Sequence, residues 1–453
     1  QGVFGVPKGS MARLILNAVA ANLLCKEPPD PCLPLIESLG KLVVPVGCRL
    51  YWSLLDLSDY YHVLLLPENL RSLFGLPPVI VDGVLRYPRW VTLPMGFSWA
   101  VYLAQLAHDY QLRLRSQRYR DSVSLIGPAI PRFIDPGVDA AAPYIDDLLA
   151  LNVEAAESAA FIDELMEVEV TKVKEEKVKR AVVGGVAIQA WGVELSEEGQ
   201  LQPPVTKLCA LIHLTHWAVA QTSLPTRQLL SIIGKWLWFC LLVRSSLSVF
   251  TPLFKQGRST HAFVRLWPAS IRVLRELVAV CPLLCVNPAR PVGWLVATDS
   301  SSYGGGAVFC SQYGLEGLRQ FAPFCYYKGR ADLTEVQYRE GVGKVIGRFT
   351  FETGFGWRWK SFEEHITLKE GRALWVGIQR VILHSRSPLG ARHTYLQDNM
   401  GVIGAFQKGR SRHPVLNGLI KRTCALQLVT GDTMDLIWCP TLYQPADGPS
   451  RGV

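Results

Sequence analysis

Over roughly the first 205 residues, short apolar runs of strand length alternate with helix-period stretches, broken by Pro and Gly. "LYWSLLDLSDYYHVLLLPE" (50–68) predicts an apolar strand ending at Asp56, followed by a helical or turning "SDYYH". "YIDDLLAL" (144–151) predicts a β-hairpin with two carboxylates at or near its turn. The stretch from "AAESAAFIDELMEVEV" to "KVKEEKVKR" is charged and helix-favouring, and residues 206–280 read mostly as helices rich in Leu, Trp and Arg. Composition changes at "VNPARPVGW", and from Trp294 onward strands and helices mix again, which predicts a separate α/β unit. There "GWLVATDSSSYGGGAVF" reads as two strands joined by a Gly-rich turn, with Asp299 at the end of the first. No internal repeat is evident.

Composition adds limits to this picture. With 453 residues, 49% of them hydrophobic, the chain has material for two to four packed units. A net charge of +9 is compatible with plain solubility or with a polyanionic partner, and decides nothing alone. Eleven cysteines lack zinc-type spacing, "CPLLC" (Cys281, Cys285) being the tightest pair; buried, reduced thiols fit an intracellular protein. The most apolar stretch, "LLSIIGKWLWFCLLV", is short for a membrane span and carries Lys235, so no membrane association is expected. The chain starts at Gln1 without an initiator Met, as expected of a segment of a longer polypeptide.

Candidate chemistry concentrates on the acids. Asp146 and Asp147 repel each other, and burying either needs a strong compensating charge. A solvated turn is the ordinary explanation for one Asp-Asp pair. Asp56 strengthens the other reading: on a neighbouring strand, it and Asp146 would converge on divalent cations. Carboxylate oxygens with open water positions suit Mg²⁺, and two such ions serve in-line displacement at phosphorus.

Three ordered motifs then resemble reverse transcriptases of the long-terminal-repeat and tyrosine-recombinase (DIRS-like) retroelements: "LDLSDYYH", "LPMGFSWA" and "YIDD". The resemblance implies that Asp56, Asp146 and Asp147 are catalytic metal ligands and that Tyr61 is a steric gate against a ribose 2′-hydroxyl, its alternative role being core packing. It implies that Gly96 lets backbone approach the incoming base pair, beside Met95 where retroviral relatives carry Gln. Upstream, "PKGSMARLILNAVAAN" resembles the fingers segment, so that Lys8 and Arg13 would clamp the nucleotide triphosphate and Asn22 also matches; Asn17 and Val19 depart from the usual Asp and Arg. "WGVELSEEGQLQPP" resembles a strand that grips the primer, and "SIIGKWLWF" a thumb helix with Gly234 and Trp238 near the template–primer. Lys177 lies near a motif lysine of the family, although a solvated helix face is the better account of any one lysine of "KVKEEKVKR".

The C-terminal segments around Asp299, "HITLKE" (Glu370), "QDNMGVIGAFQKGRSRHPVLN" (Asp398) and "PADGPSR" (Asp447) are similar to the ribonuclease H domain of the same elements, with Thr367 and Gln444 each replacing Asn. A longer segment than a minimal domain needs, containing "GWRWKSFEEH", separates Asp299 from Glu370. "QKGRSRH" (Lys408, Arg410, Arg412, His413) would be a phosphate-contacting patch beside Asp398, or a solvated loop.

Taken together, the resemblance implies an α+β / α/β multidomain chain: a right-hand polymerase (fingers and palm, 1–205; thumb and connection, 206–292) followed by a ribonuclease H-like domain (293–453). The expected activity is RNA-directed DNA synthesis with ribonuclease H cleavage, using two Mg²⁺ per site, with Mn²⁺ as a substitute. Expected partners are an RNA or DNA template–primer, an RNA–DNA hybrid and deoxynucleoside triphosphates. The expected location is intracellular, cytoplasmic or nuclear, with a retroelement particle as a further alternative. The alternative is an inactive nucleic-acid-binding relic of a retroelement.

Overall fold

The computed structural model describes residues 2–8, 11–181, 188–325, 333–360, 363–384 and 389–452. The chain forms two compact units interleaved in sequence: Gln1–Leu35, Tyr51–Gly127 and Pro136–Ile188 make the first, and Ile36–Leu50, Pro128–Asp135 and Gln189–Val453 the second.

In the first unit, β1 (Val3–Lys8) and β2 (Met11–Leu16) form an antiparallel ribbon. The main sheet is built from β3 (Tyr51–Asp56), β4 (Ala140–Tyr144) and β5 (Asp147–Asn152), in the order β3-β5-β4, with Val123–Ser124 on the outer edge. Helices α1 (Ala100–Arg115) and α2 (Ala155–Val168) pack on it. Strand β5 is apolar at every position from Leu148 to Leu151, and all four are buried, because a covered sheet has no face left for polar side chains. Phe161, Ile162 and Leu165 of α2 share one core with Leu55, Leu148 and Ala150. Each such side chain is worth about 1.5–3 kcal/mol of burial, which fixes the strand ends where the acids sit.

The helical expectation after the hairpin holds only to Val168. Residues 169–180 instead run beside β3, with bridges Leu57–Val173 and Leu54–Lys179 and one 3₁₀ turn at Glu175–Lys177. The local pattern explains this: valines and Thr171 alternate with charges at period two, and β-branched residues favour extended backbone.

In the second unit, α3 (Val205–Ala220), α4 (Thr226–Cys240), α5 (Thr251–Gly257) and α6 (Pro268–Val280) bury a common core. Trp236 lies at its centre, its indole N–H donating to Thr215 at 2.9 Å, whereas Trp238 is half exposed. Trp238 sets the nitrogen edge of its indole against Gly192, where any Cβ would collide with it. That glycine ends a tight two-residue turn with Trp191 (φ +50° and +77°) between strands Gln189–Ala190 and Val193–Leu195.

The same unit carries a five-stranded sheet of β6 (Val292–Ser300), β7 (Gly304–Cys310), β8 (Glu352–Arg358), β9 (Arg392–Gln397) and β10 (Thr433–Trp438), in the order β8-β7-β6-β9-β10. Strands β8, β7 and β6 are antiparallel, and β6, β9 and β10 parallel. Around it lie α7 (Ile366–His384), α8 (Met400–Gln407), α9 (Pro414–Thr430) and α10 (Asp447–Arg451). The glycines after Asp299 do not make the turn as expected. Ser301–Tyr303 turn, and Gly304, Gly305 and Gly306 belong to β7, where side chains would strike Trp357 and the backbone around Ser450. "GWRW" is the edge strand β8.

No helix among the described residues is long and apolar enough to cross a membrane. All eleven cysteines are free thiols.

Candidate active sites

Two groups of acids emerge, one on each sheet. In the first unit, the β4–β5 hairpin turns through Ile145 and Asp146, with Tyr144 paired to Asp147. Asp147 also lies directly across from Asp56 on β3, so the register alone puts all three acids at one sheet end. Ile145 has φ +59°, a conformation that costs a β-branched residue about 1–3 kcal/mol. Helix α1 holds this strained turn. Gln105 accepts from the Ile145 N–H at 2.8 Å and donates to the Pro143 carbonyl at 2.8 Å. His108 Nδ1 lies 2.7 Å from the Ile145 carbonyl, and its Nε2 lies 2.8 Å from Glu169, both side chains fully buried. A carbonyl only accepts, so Nδ1 carries a proton, and a second proton must lie between Nε2 and the carboxylate. Sequence pattern does not disclose this clamp, because a lone histidine on a helix carries no pattern.

Electrostatics separates the three acids. Burial raises Asp147 to about 6, with Asp146 and Asp56 adding to the effect. Asp56 moves the other way: burial would raise it, but hydrogen bonds and charge from Lys174 and Lys177 outweigh that and lower it. Lys174 contacts one oxygen of Asp56, and Lys177 donates to the other at 2.8 Å. These lysines are therefore not a solvated helix face. Their side chains come from the strand-like segment beside β3.

Tyr61 is half buried and raised to about 12, by burial first, then by Asp146 and Tyr144, while Arg13 opposes the shift. Tyr61 thus lies within electrostatic reach of Asp146 and of exposed Arg13 on β2. Lys8 ends β1, and its side chain falls outside the described residues. Gly96 has φ +103°, and a Cβ there would lie 2.6 Å from the Leu16 carbonyl. The glycine is thus required by the protein's own backbone. Asn22 fastens the same turn, donating to the Gly96 carbonyl at 3.0 Å and accepting from the Ser98 N–H at 2.8 Å; Met95 is half buried beside it.

In the second unit, Asp299 on β6, Glu370 on α7 and Asp398 just past β9 offer carboxylate oxygens within 4.8 Å of one another. They form the one such acidic group among the described residues. Burial raises all three: Asp398 to about 6, helped by Asp299, and Glu370 to about 10, helped by Asp398 and Asp299. Neighbours orient them: Ser450 donates to Asp299 at 2.6 Å, the Ser300 N–H to Glu370 at 3.1 Å and Thr441 to Asp398 at 3.2 Å. The other Glu370 oxygen, Oε2, is buried with no hydrogen-bond partner among the described residues. An orphaned, buried carboxylate oxygen among converging acids is what a divalent cation would satisfy, so these residues fit a metal.

Asp447 opens α10 close enough to raise Asp299 and Asp398, but Arg451 holds it at 2.9 Å and it stands outside the group of three. Lys408, Arg410, Arg412 and His413 are all exposed; Arg410 sits over the Phe254 ring at 4.9 Å, which gives it a packing role. Gly234 is exposed and faces open space.

No protein-family model and no curated protein matches the chain. Among solved structures, it is similar to the foamy viral protease-reverse transcriptase in three complexes. Against one with double-stranded DNA, identity is 14% over 96% of this chain, with TM-score 0.46, and the chain spans 64% of that protein. A complex with RNA/DNA hybrid gives 12% identity, complete coverage of this chain, 73% of the other and TM-score 0.43. A further double-stranded DNA complex gives 15%, 97%, 77% and 0.44. What the carboxylates can do is read here from this chain's own geometry.

Proposed function

We propose that the chain is an RNA-directed DNA polymerase joined to a ribonuclease H, copying a primed RNA or DNA template with deoxynucleoside triphosphates and degrading the RNA of the hybrid. The observation that carries this reading is the doubling of the acidic groups: strand register sets Asp56, Asp146 and Asp147 at one end of the first sheet, and Asp299, Glu370 and Asp398 gather within 4.8 Å of one another at the second. Fingers and palm would occupy 1–205, thumb and connection 206–292, and the nuclease 293–453, in a reducing compartment suited to free thiols.

Bound Mg²⁺ would supply activation of a hydroxyl or a water and neutralise the leaving oxygen. Asp56, Asp146 and Asp147 would hold it in the first unit, and Asp299, Glu370 and Asp398, with Asp447 at the rim, in the second. Asp147, at about 6, is ionised at neutral pH at a cost of roughly 3 kcal/mol, a penalty that a cation would remove. Lys174 and Lys177 would release Asp56 as metal enters. Tyr61, close to Asp146, would lie under the incoming sugar and exclude a 2′-hydroxyl. Arg13 and Lys8 would hold the triphosphate.

The lysine pair on Asp56 favours a second reading, in which the polymerase half is inactive and the nuclease half is intact. Primer extension and hybrid cleavage with Mg²⁺ separate the two. We expect Asp146→Asn to abolish extension and spare cleavage, and Asp398→Asn to do the reverse. Cleavage without any extension by the unaltered chain would establish the second reading. Loss of both activities in either folded variant would refute separate sites.

A further inference from the structure

The helical part of the second unit has an unusual charge. Between Gly199 and Arg275 the chain has nine lysines and arginines and no aspartate or glutamate. The whole chain exceeds its 38 acids by nine, so this stretch holds the entire excess and the remainder is balanced.

Within it lies a cleft of about 380 Å³ whose walls include Lys255, Arg258, His261 and Arg265 together with Phe263 and Trp267. The two rings are 62% and 48% exposed, too open to be explained by core packing. The backbone beneath them is tightly held. Buried Gln256 donates to the Arg265 carbonyl at 2.7 Å and accepts from the Trp267 N–H at 3.3 Å, while Thr226 donates through its N–H to the Ala262 carbonyl at 2.9 Å and through its hydroxyl to the His261 carbonyl at 2.5 Å. The rings and cations are therefore presented on a fixed frame. No carboxylate pairs with Lys255, Arg258 or Arg265 among the described residues. Three cations gathered without counter-charge repel one another, and a polyanion relieves that repulsion.

We infer that this cleft binds a single strand of RNA or DNA, with bases stacked on Phe263 and Trp267 and phosphates on Lys255, Arg258 and Arg265. Bare phosphate has no use for the rings, and a duplex hides its base faces, whereas an unpaired strand offers both partners at nucleotide spacing. None of the residues lining the cleft belongs to either acidic group.

The test uses the full chain and a ten-nucleotide single strand carrying a photoreactive pyrimidine. Adducts should map to residues 251–267. By fluorescence anisotropy, Lys255→Glu with Arg258→Glu should weaken binding by about tenfold or more and reduce the slope of log affinity on log salt by roughly 1.4, two phosphates' worth. Phe263→Ala with Trp267→Ala should weaken binding about tenfold at unchanged slope. All four side chains are exposed, so the variants should melt like the parent. Adducts confined to other segments, or unchanged affinity in both variants, would overturn the inference. So would loss in the charge variant alone with polyphosphate competing as well as the oligonucleotide. None of these readouts depends on primer extension or hybrid cleavage, so failure here leaves the two-activity reading untouched.

Discussion

Beside the hairpin of the first unit, Asp56 directs its charge to Lys174 and Lys177; at the sheet end of the second, Glu370 keeps a buried oxygen with no hydrogen-bond partner among the described residues. Both groups face the same problem, several carboxylates brought together, by strand register in the first and by a strand, a helix and a strand end in the second, and solve it differently. The first lets basic side chains stand where cations would bind, which lowers Asp56 and leaves Asp147 raised. The second pushes protons onto its acids. The difference teaches that an acidic cluster is recognised less by its acids than by what neutralises them. A lysine-neutralised group resists metal by competition, and a proton-neutralised group resists it by pH.

The sharpest way to break this comparison is to remove the orphaned oxygen's charge. Glu370→Gln should lower hybrid cleavage by about a thousandfold, roughly 4 kcal/mol of transition-state stabilisation, while primer extension stays within about twofold. In chelator the same variant should melt no lower than the parent, since the parent's Glu370 is itself protonated there at neutral pH. A drop of several degrees in chelator would mean that the carboxylate is structural.

The clamp on the hairpin is next in size. His108→Ala leaves buried Glu169 with Gln111 alone and the strained Ile145 turn with Gln105 alone, so global stability measured by urea unfolding should fall by about 3 kcal/mol. A change below about 1 kcal/mol would show that α1 does not hold the turn.

This clamp also marks the limit of what the sequence discloses. The strand ending at Asp56 and the hairpin at Asp146 are legible because apolar runs ending in charge have few uses, whereas the four C-terminal acids stand out only through the resemblance of their motifs. Partners are not legible. Lys174 and Lys177 reach Asp56 only because 169–180 lies along β3, and helix-favouring charges there concealed a period-two pattern. The chain's interleaving was hidden too. Leu42–Val43 pairs with Arg132–Phe133, strands of two residues whose periodicity cannot be read, and Val43 and Ile130 join the core beneath β6. Buried Asp435, which meets Lys41 and Arg392, ties that segment down by charge rather than by pattern.

Acidity separates the two groups more finely. Asp147 and Asp398 lie at about 6 and Glu370 at about 10, above their unfolded values, so the folded chain holds protons that the unfolded chain releases. That contribution is complete below about pH 4 and is lost as pH rises, through about 6 for the aspartates and on towards 10 for Glu370. Asp56 is lowered, so its contribution is present above about pH 4 and lost on acidification. In chelator, thermal stability of the parent should therefore fall as pH rises from 5 to 9, and Glu370→Gln should flatten the upper part of that fall. An unchanged slope would remove Glu370 as its source.

The smallest effect belongs to the lysines. Lys177→Ala removes a half-exposed ion pair worth about 0.5 kcal/mol, yet it should strengthen Mg²⁺ binding at the hairpin group by taking away a competitor. Weaker Mg²⁺ binding would mean that the lysine supports the metal instead of opposing it.

Calorimetric titration of Mg²⁺ into the parent, Asp146→Asn and Glu370→Gln at pH 7.5 tests the central claim most directly. The account predicts two classes of site in the parent, Asp146→Asn losing one class and Glu370→Gln the other. A single class removed by both substitutions, or full binding retained by both, would contradict it.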